Sequence, residues 1–202
     1  MIKSLVERRP SYGTRMVTAM LHRDDITAGR NSVRRHMRHL NLMHDSKKRY
    51  RKRVPGTLLF SRSNIMWETD FTKVYIKGDG WVHFTACVDL CSKKVKGYLV
   101  SRMSRTAEMI TALDNALFSE FPDLKIPRLT IRSDDGSQLT SVKYEKRLKT
   151  FGIYHETTNP RTPEEDGHIE SYFGHFKEDY TYSGEFKSLD EFKDYMDWAV
   201  RD

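Results

Sequence analysis

From Trp67 onward, the order of strand-like and helix-like segments restricts the chain to very few folds. The segment WETDFTKVYIK alternates apolar and polar residues, which predicts a half-buried strand. The turn Gly78-Asp79-Gly80 joins it to a second strand, WVHFTACVDL, and a turn at Cys91–Lys94 leads to a third, VKGYLV. We therefore expect an antiparallel meander at the start of this region.

Helices and strands alternate after the meander. In chain order they are a helix at Thr106–Phe118, a strand RLTIRS, a helix at Ser141–Thr150, a strand at Gly152–His155 and a helical stretch from about Pro163. The complete order β-β-β-α-β-α-β-α predicts a mixed α/β fold.

The first 45 residues predict a separate helical unit. Residues 11–22 place apolar side chains at helical spacing, and a second helix begins at about Asn31, with Asn31 or Ser32 as its N-cap. The apolar positions of the two helices are Met16, Val17, Met20 and Leu21, then Val33, Met37 and Leu40. Two helices joined by a short polar segment have the outline of a helix-turn-helix unit.

Positive charge is concentrated in this N-terminal part. Residues 1–62 contain 16 Lys and Arg against 4 Asp and Glu, whereas residues 63–202 contain 19 against 24. Such a basic arm is typical of polyanion binding, although a solvated helical face followed by a basic linker has the same composition. The candidate DNA contacts are Arg34, Arg35 and Arg38 on the second helix, and Lys47, Lys48, Arg49, Arg51, Lys52 and Arg53 in the linker.

Cysteine content and hydropathy exclude several classes of protein. Cys87 and Cys91 are the only cysteines and no CxxC occurs, so we expect neither a disulfide framework nor a cysteine-ligated zinc site. This cysteine content favours a reducing compartment. No run of 18 apolar residues is present, and the N-terminal residues lack the apolar segment of a secretory signal. Trp67 and Trp81 are expected to pack in the core or on the sheet.

Three carboxylates stand out because of the elements that carry them. Asp70 lies within the first predicted strand, Asp134 at the end of the fourth and Glu170 in the last helix. Taken singly, each is an ordinary solvated side chain. Clustered, they would supply the oxygen ligands that Mg²⁺ and Mn²⁺ prefer.

The sequence around these carboxylates resembles the three catalytic blocks of the DDE integrase-core transposases. The blocks are WETDFT, RSDDGSQLTS and GHIESYFGHFK, and the 35 residues between Asp134 and Glu170 match the spacing behind the DD(35)E label of this group. Within the group, the chain is most similar to orfB-type transposases of prokaryotic insertion sequences, which are relatives of retroviral integrases. The segment YGTRMVTAMLHRDDITAGRNSVRRHMRHLNLM resembles the small helical domain that precedes the core in these proteins.

The resemblance implies an RNase H-like catalytic core in which Asp70, Asp134 and Glu170 hold two Mg²⁺ or Mn²⁺ ions. It implies metal-dependent cleavage and strand transfer of double-stranded DNA, at the ends of the element and at the target, by a homo-oligomer. It also implies a helix-turn-helix partner or fusion encoded in an upstream frame, and a cytoplasmic, nucleoid-associated protein with no membrane contact. The corresponding domains are a helical DNA-binding domain (1–45), a basic linker (46–64) and the catalytic core (65–202).

Several residues depart from the pattern of this group. Asp135 stands where relatives usually carry Arg, Asn or Gln, and we assign the metal role to Asp134 because it keeps the 35-residue spacing. Gly174 replaces a lysine found in many relatives, which leaves Lys177 as the basic candidate DNA contact on the last helix. The chain stops at WAVRD, where relatives continue, so we expect a C-terminal tail to be missing. A truncated or inactive relative that only binds DNA at element ends is the alternative, and a plain nuclease is a weaker one.

Overall fold

The structure, a computed structural model, describes residues 1–43, 60–158, 169, 172–177 and 186–201. The helices are α1 (Ile2–Arg8), α2 (Thr14–Arg23), α3 (Arg30–His39), α4 (Thr106–Glu120), α5 (Val142–Thr150) and α6 (Leu189–Arg201), and residues 172–177 are also helical. The strands are β1 (Met66–Ile76), β2 (Gly80–Asp89), β3 (Val95–Ser101), β4 (Thr130–Ser133) and β5 (Tyr154–Thr157). Helices α1–α3 belong to one compact unit, and the strands with α4–α6 belong to a second.

The three N-terminal helices pack around a small apolar core of their own. Its buried members are Val6 from α1, Val17 and Leu21 from α2, and Val33 and Met37 from α3. The predicted helical spacing is therefore confirmed in α2 and α3, but Met16 and Leu40 are exposed. The predicted N-cap is wrong, because α3 already begins at Arg30 and the extended backbone of Gly29 precedes it.

The second unit is built on a five-stranded sheet with the strand order β3-β2-β1-β4-β5. Strands β1, β2 and β3 pair in antiparallel fashion, which confirms the predicted meander. Strands β4 and β5 extend the sheet on the other side of β1, and both of these pairings are parallel. The central strand β1 thus has an antiparallel neighbour on one side and a parallel neighbour on the other.

Both faces of the sheet are covered. On one face, Trp67 is fully buried against side chains of α4 and α5, including Leu113, Leu117, Tyr144 and Leu148. On the opposite face, the Phe84 ring lies 5.8 Å from that of Phe173, and the Tyr98 hydroxyl donates a hydrogen bond to Asp197 of α6.

The two tryptophans differ in burial. The prediction for Trp67 is confirmed, whereas Trp81 is 62% exposed and packs edge-on against Tyr75 at the turn end of the β1–β2 hairpin. Both rings of this pair stand on the solvent side of the hairpin. In the described part of the chain, no helix is long and apolar enough to cross a membrane.

Asp89 closes the other end of β2. Its carboxylate accepts hydrogen bonds from the Ser63 hydroxyl, from the Cys91 backbone N–H at 3.1 Å and from the Ser92 hydroxyl at 3.0 Å. Burial raises the pKa of Asp89, but these hydrogen bonds outweigh burial and hold the pKa below its ordinary value. The ionised side chain therefore ties the turn between β2 and β3 to the segment that leads into β1.

Candidate active site

The pairing of β1 with β4 brings two of the predicted site residues together. The last register pair of these parallel strands is Thr69 with Ser133, and the next residue of each chain is Asp70 and Asp134. Adjacent strands lie about 4.8 Å apart, so the two carboxylates emerge side by side. Both also line one cavity of about 210 Å³, together with Glu68, Thr69, Arg132, Ser133 and Ile169.

Local hydrogen bonds orient each carboxylate. Asp70 is half-buried at the middle of β1, and its Oδ1 accepts a hydrogen bond from the Phe71 backbone N–H at 2.7 Å. Asp134 is exposed after the end of β4, and its Oδ1 accepts from the Gly136 N–H at 3.1 Å. A Cβ atom at Gly136 would lie 2.9 Å from that oxygen, so the turn leaves room for nothing larger than glycine without a shift of the carboxylate.

A buried polar chain supports the backbone at Asp134 from below. The Ser133 hydroxyl lies 2.9 Å from the Asp134 carbonyl oxygen and 2.9 Å from His155 Nε2. His155 Nδ1 in turn contacts the Glu145 carboxylate of α5. These contacts attach the end of β4 to β5 and α5, so the backbone that carries Asp134 is held by two neighbouring elements.

Asp135 has a different environment from Asp134. Both side chains are exposed, but only Asp134 is among the described residues that line the cavity. The assignment of the metal role to Asp134 rather than Asp135 stays a prediction.

The other predicted site residues are not brought to this cavity in the described structure. Glu170 lies outside the described residues, although the residue before it, Ile169, lines the cavity. Lys177 is exposed at the end of the helical residues 172–177. The linker residues Lys47, Lys48, Arg49, Arg51, Lys52 and Arg53 also lie outside the described part of the chain.

The donors at the cavity are suited to a hard cation. The carboxylates of Asp70 and Asp134 offer oxygen ligands, which Mg²⁺ and Mn²⁺ prefer. Burial raises the pKa of the Cys87 thiol to about 11, so this cysteine is a protonated core residue and no thiolate ligand. Among the described residues, no three His, Cys, Asp or Glu side chains are grouped as a complete metal site.

The arginines of α3 form an exposed basic stripe. Arg34, Arg35 and Arg38 are all exposed, as the sequence predicted, while Val33 and Met37 face the core. Arg30, the first residue of α3, is also exposed and was not among the predicted DNA contacts. Its four-residue spacing from Arg34, and that of Arg34 from Arg38, is the signal that could have identified it.

The sheet order β3-β2-β1-β4-β5, with Asp70 in the central strand and Asp134 just after its parallel neighbour, is the arrangement expected for an RNase H-like catalytic core. The family model described as "Integrase core domain" matches residues 61–163, and the model described as "HTH-like domain" matches residues 1–52. The chain belongs to the integrase core family.

Similar proteins and structures agree with this assignment. The chain is 29% identical over 200 residues to the putative transposase InsK for insertion sequence element IS150 of Escherichia coli (strain K12), covering 93% of the chain and 69% of that protein. It is also 29% identical to the transposase for insertion sequence element IS629 of Shigella sonnei, covering 85% of the chain and 60% of that protein.

Among solved structures, the catalytic domain of Mos1 mariner transposase has a TM-score of 0.55 at 16% identity, covering 68% of this chain and 70% of that one. A chain of the simian T-cell lymphotropic virus intasome has a TM-score of 0.51 at 20% identity, covering 80% and 58%. The similarity to transposases, the RNase H-like fold with its helical N-terminal region and the expected enzyme class are thereby confirmed.

Proposed function

We propose that the chain is a transposase that cuts the ends of an insertion sequence and joins them to target DNA, using divalent cations held by Asp70, Asp134 and Glu170. The observation that carries this proposal is the placement of Asp70 and Asp134 directly after the last register pair of β1 and β4, Thr69 with Ser133, where both line one cavity. The likeness of the chain to insertion-sequence transposases supports it.

The proposed cofactor is Mg²⁺ or Mn²⁺, two ions per site. Solved structures of the Mos1 catalytic domain contain Mn or Mg, which supports the use of such ions in this fold. When bound, a pair of divalent cations activates the attacking oxygen and stabilises the leaving oxygen of a phosphodiester. The protein itself orients the carboxylates that would bind the ions. One oxygen of each aspartate accepts a hydrogen bond from a backbone N–H, and the contact of Ser133 with His155 restrains Asp134.

The exposed arginines of α3 support a DNA-binding role for the helical domain 1–45. Like charges four residues apart destabilise a helix, and Arg30, Arg34 and Arg38 have this spacing. A phosphate backbone would relieve that repulsion. We propose that Arg34, Arg35 and Arg38 contact element ends, that the basic linker 46–64 follows the phosphates, and that Lys177 adds a contact from the core 65–202.

The division of labour between α3 and the linker can be tested by salt titration of DNA binding. If all six linker cations contact phosphates, replacing them by Ala reduces the slope of log affinity against log salt by up to about 5 and weakens binding to all sequences. Replacing Arg34, Arg35 and Arg38 by Ala should instead reduce the preference for element ends over random DNA. The matched control replaces three exposed α5 lysines (Lys143, Lys146 and Lys149) and should keep that preference. Equal slopes in the linker variant and the wild type would show that the linker is only a solvated tether.

The catalytic assignment is tested with DNA duplexes taken from the inverted repeats that flank the coding sequence. Cleavage and strand transfer should require Mg²⁺ or Mn²⁺ and stop in EDTA. Asp70→Asn, Asp134→Asn and Glu170→Gln should each reduce the rate by about 100-fold or more, because each removes a charged ligand where cations stabilise the transition state. Asp135→Asn is the matched control and should be much milder.

The outcomes separate the candidate functions. DNA binding without cleavage by the wild type, in the presence of Mn²⁺, would favour the alternative of a protein that only occupies element ends. Cleavage without joining would favour a nuclease.

Further proposed properties are a homo-oligomer on DNA, a helix-turn-helix partner from an upstream frame, and association with the nucleoid in the cytoplasm. Analytical ultracentrifugation with and without end DNA tests the first of these.

A further inference from the structure

Glu68 is a buried carboxylate with no part in the chemistry described above. It is 1% exposed and lies two residues before Asp70 in β1. Its Oε2 accepts a hydrogen bond from the Ile169 backbone N–H at 2.9 Å, and its Oε1 lies 3.8 Å from Arg132 Nη1. The side chain therefore contacts two segments that are far apart in the sequence.

Arg132 continues the same row of charges across the sheet. The register pairs Glu68 of β1 with Arg132 of β4, and Arg132 with Glu156 of β5. The Arg132 side chain is 6% exposed, and its Nη2 lies 3.3 and 3.4 Å from the two Glu156 carboxylate oxygens. The row Glu68–Arg132–Glu156 thus lies two residues before the Asp70–Asp134 position on each strand.

Stability alone is a poor explanation for this row. Burying charged groups is costly, and replacing a buried ion pair by apolar residues of similar size is often neutral or stabilising. The contacts of Glu68 instead converge on all three sequence blocks that carry the proposed metal ligands. It shares a strand with Asp70, pairs with Arg132 ahead of Asp134, and binds the residue that precedes Glu170.

We propose that Glu68 is a positioning residue of the metal site. Its hydrogen bond to the Ile169 N–H fixes the chain immediately before Glu170 against β1, beside the end of β4. Arg132 places its positive charge beside the Glu68 carboxylate, with Nη1 3.8 Å from Oε1. The inference rests on the proposed function, since it concerns the site that Asp70, Asp134 and Glu170 would form.

The test compares two double variants of the full chain that differ only at residue 68. The first variant, Glu68→Gln with Arg132→Met, removes the buried charges and keeps an amide oxygen that can accept from the Ile169 N–H. The second, Glu68→Met with Arg132→Met, has a side chain of similar length and lacks the acceptor. Because both charges are removed together, neither variant leaves an unpaired buried ion, and both should fold. Thermal unfolding of each variant checks that it is folded.

Two readouts that do not depend on catalysis decide the outcome. Mn²⁺ binding, measured by electron paramagnetic resonance, should stay within about threefold of wild type in the Gln variant and weaken by about 10- to 100-fold in the Met variant, as is typical when a residue supporting a metal ligand is lost. Hydrogen exchange of the Ile169 amide should be faster in the Met variant. The DNA affinity of the Met variant should equal that of the wild type.

The failure of this inference is distinguishable from failure of the proposed function. A wild-type chain that binds no Mn²⁺ refutes the proposed function and the role of Glu68 with it. Wild-type Mn²⁺ binding together with equal Mn²⁺ affinity in the two double variants refutes the positioning role of Glu68 alone.

Discussion

Gly136 provides a sensitive test of where Asp134 must stand. In Gly136→Ala, the new Cβ would lie 2.9 Å from Asp134 Oδ1 and 3.5 Å from its Cγ. Ordinary contacts begin near 3.4 Å, so the carboxylate has to move by about 0.5 Å. The Gly136 backbone φ lies outside the left-handed region, so alanine itself causes no backbone strain there.

The size of the expected effect follows from that displacement. A misplacement of 1 Å in a catalytic site costs about 100-fold in rate, and ligands have to be held within about 0.5 Å. We therefore expect Gly136→Ala to reduce the cleavage rate at saturating DNA by about 10-fold. The melting temperature should change little, because the substitution also reduces the entropy of the unfolded chain.

The assay is single-turnover cleavage of an end-labelled duplex at several Mn²⁺ concentrations. Ser137→Ala in the same turn is the matched control, since it adds no atom near Asp134 and should retain the wild-type rate. A wild-type rate in a folded Gly136→Ala protein would show that the observed position of the Asp134 carboxylate is not the one required for cleavage.

Three further predictions concern the core and the ionisable residues. A Cβ at Gly97 of β3 would overlap the backbone of Ala116 in α4 and lie 2.7 Å from its Cβ. Gly97→Ala should therefore destabilise the fold by about 3 kcal/mol or more and lower the melting temperature by about 6 °C or more. Iodoacetamide at pH 8 should modify Cys91 in the native protein and spare Cys87, because burial raises the pKa of the Cys87 thiol to about 11. Mass spectrometry of the cysteine peptides measures the modification of each thiol, and equal modification of the two would contradict this prediction. The lowered pKa of Asp89 contributes stability that is complete above its unfolded pKa of about 3.9 and is lost as pH falls through the lower folded pKa. Urea unfolding from pH 6 to pH 2 should therefore show a smaller loss of stability in Asp89→Asn than in wild type.

The strand and helix order was predictable because each element carries a clear local periodicity. The alternation in β1 and the helical spacing in α4 arise from contacts that every such element makes with its core. β5 begins two residues later than expected, because Gly152, with φ of +66°, still belongs to the turn that ends α5. The helix α1 was missed because its seven residues include just one buried position, Val6, which is too few for a pattern.

The candidate metal site could be predicted only from the three sequence blocks WETDFT, RSDDGSQLTS and GHIESYFGHFK. No local periodicity relates Asp70 to Asp134, and their adjacency depends on the parallel pairing of strands more than 60 residues apart. The contacts of Glu68 with Arg132 and Ile169 are likewise non-local, so they became visible only in the folded chain. The signal that the sequence offered for Glu68 was a charged residue near the start of a predicted strand, between Trp67 and Thr69.

The proposal that Asp70, Asp134 and Glu170 share a divalent cation is tested most directly by iron-mediated cleavage of the polypeptide. Fe²⁺ would replace Mg²⁺ at the site, and ascorbate with peroxide would then cut the backbone next to the bound ion. We predict three cuts, close to residues 70, 134 and 170, which excess Mg²⁺ suppresses and Asp134→Asn weakens. Cuts confined to other parts of the chain, or cuts at these positions that Mg²⁺ leaves unchanged, would contradict a metal site at Asp70 in β1 and Asp134 after the end of β4.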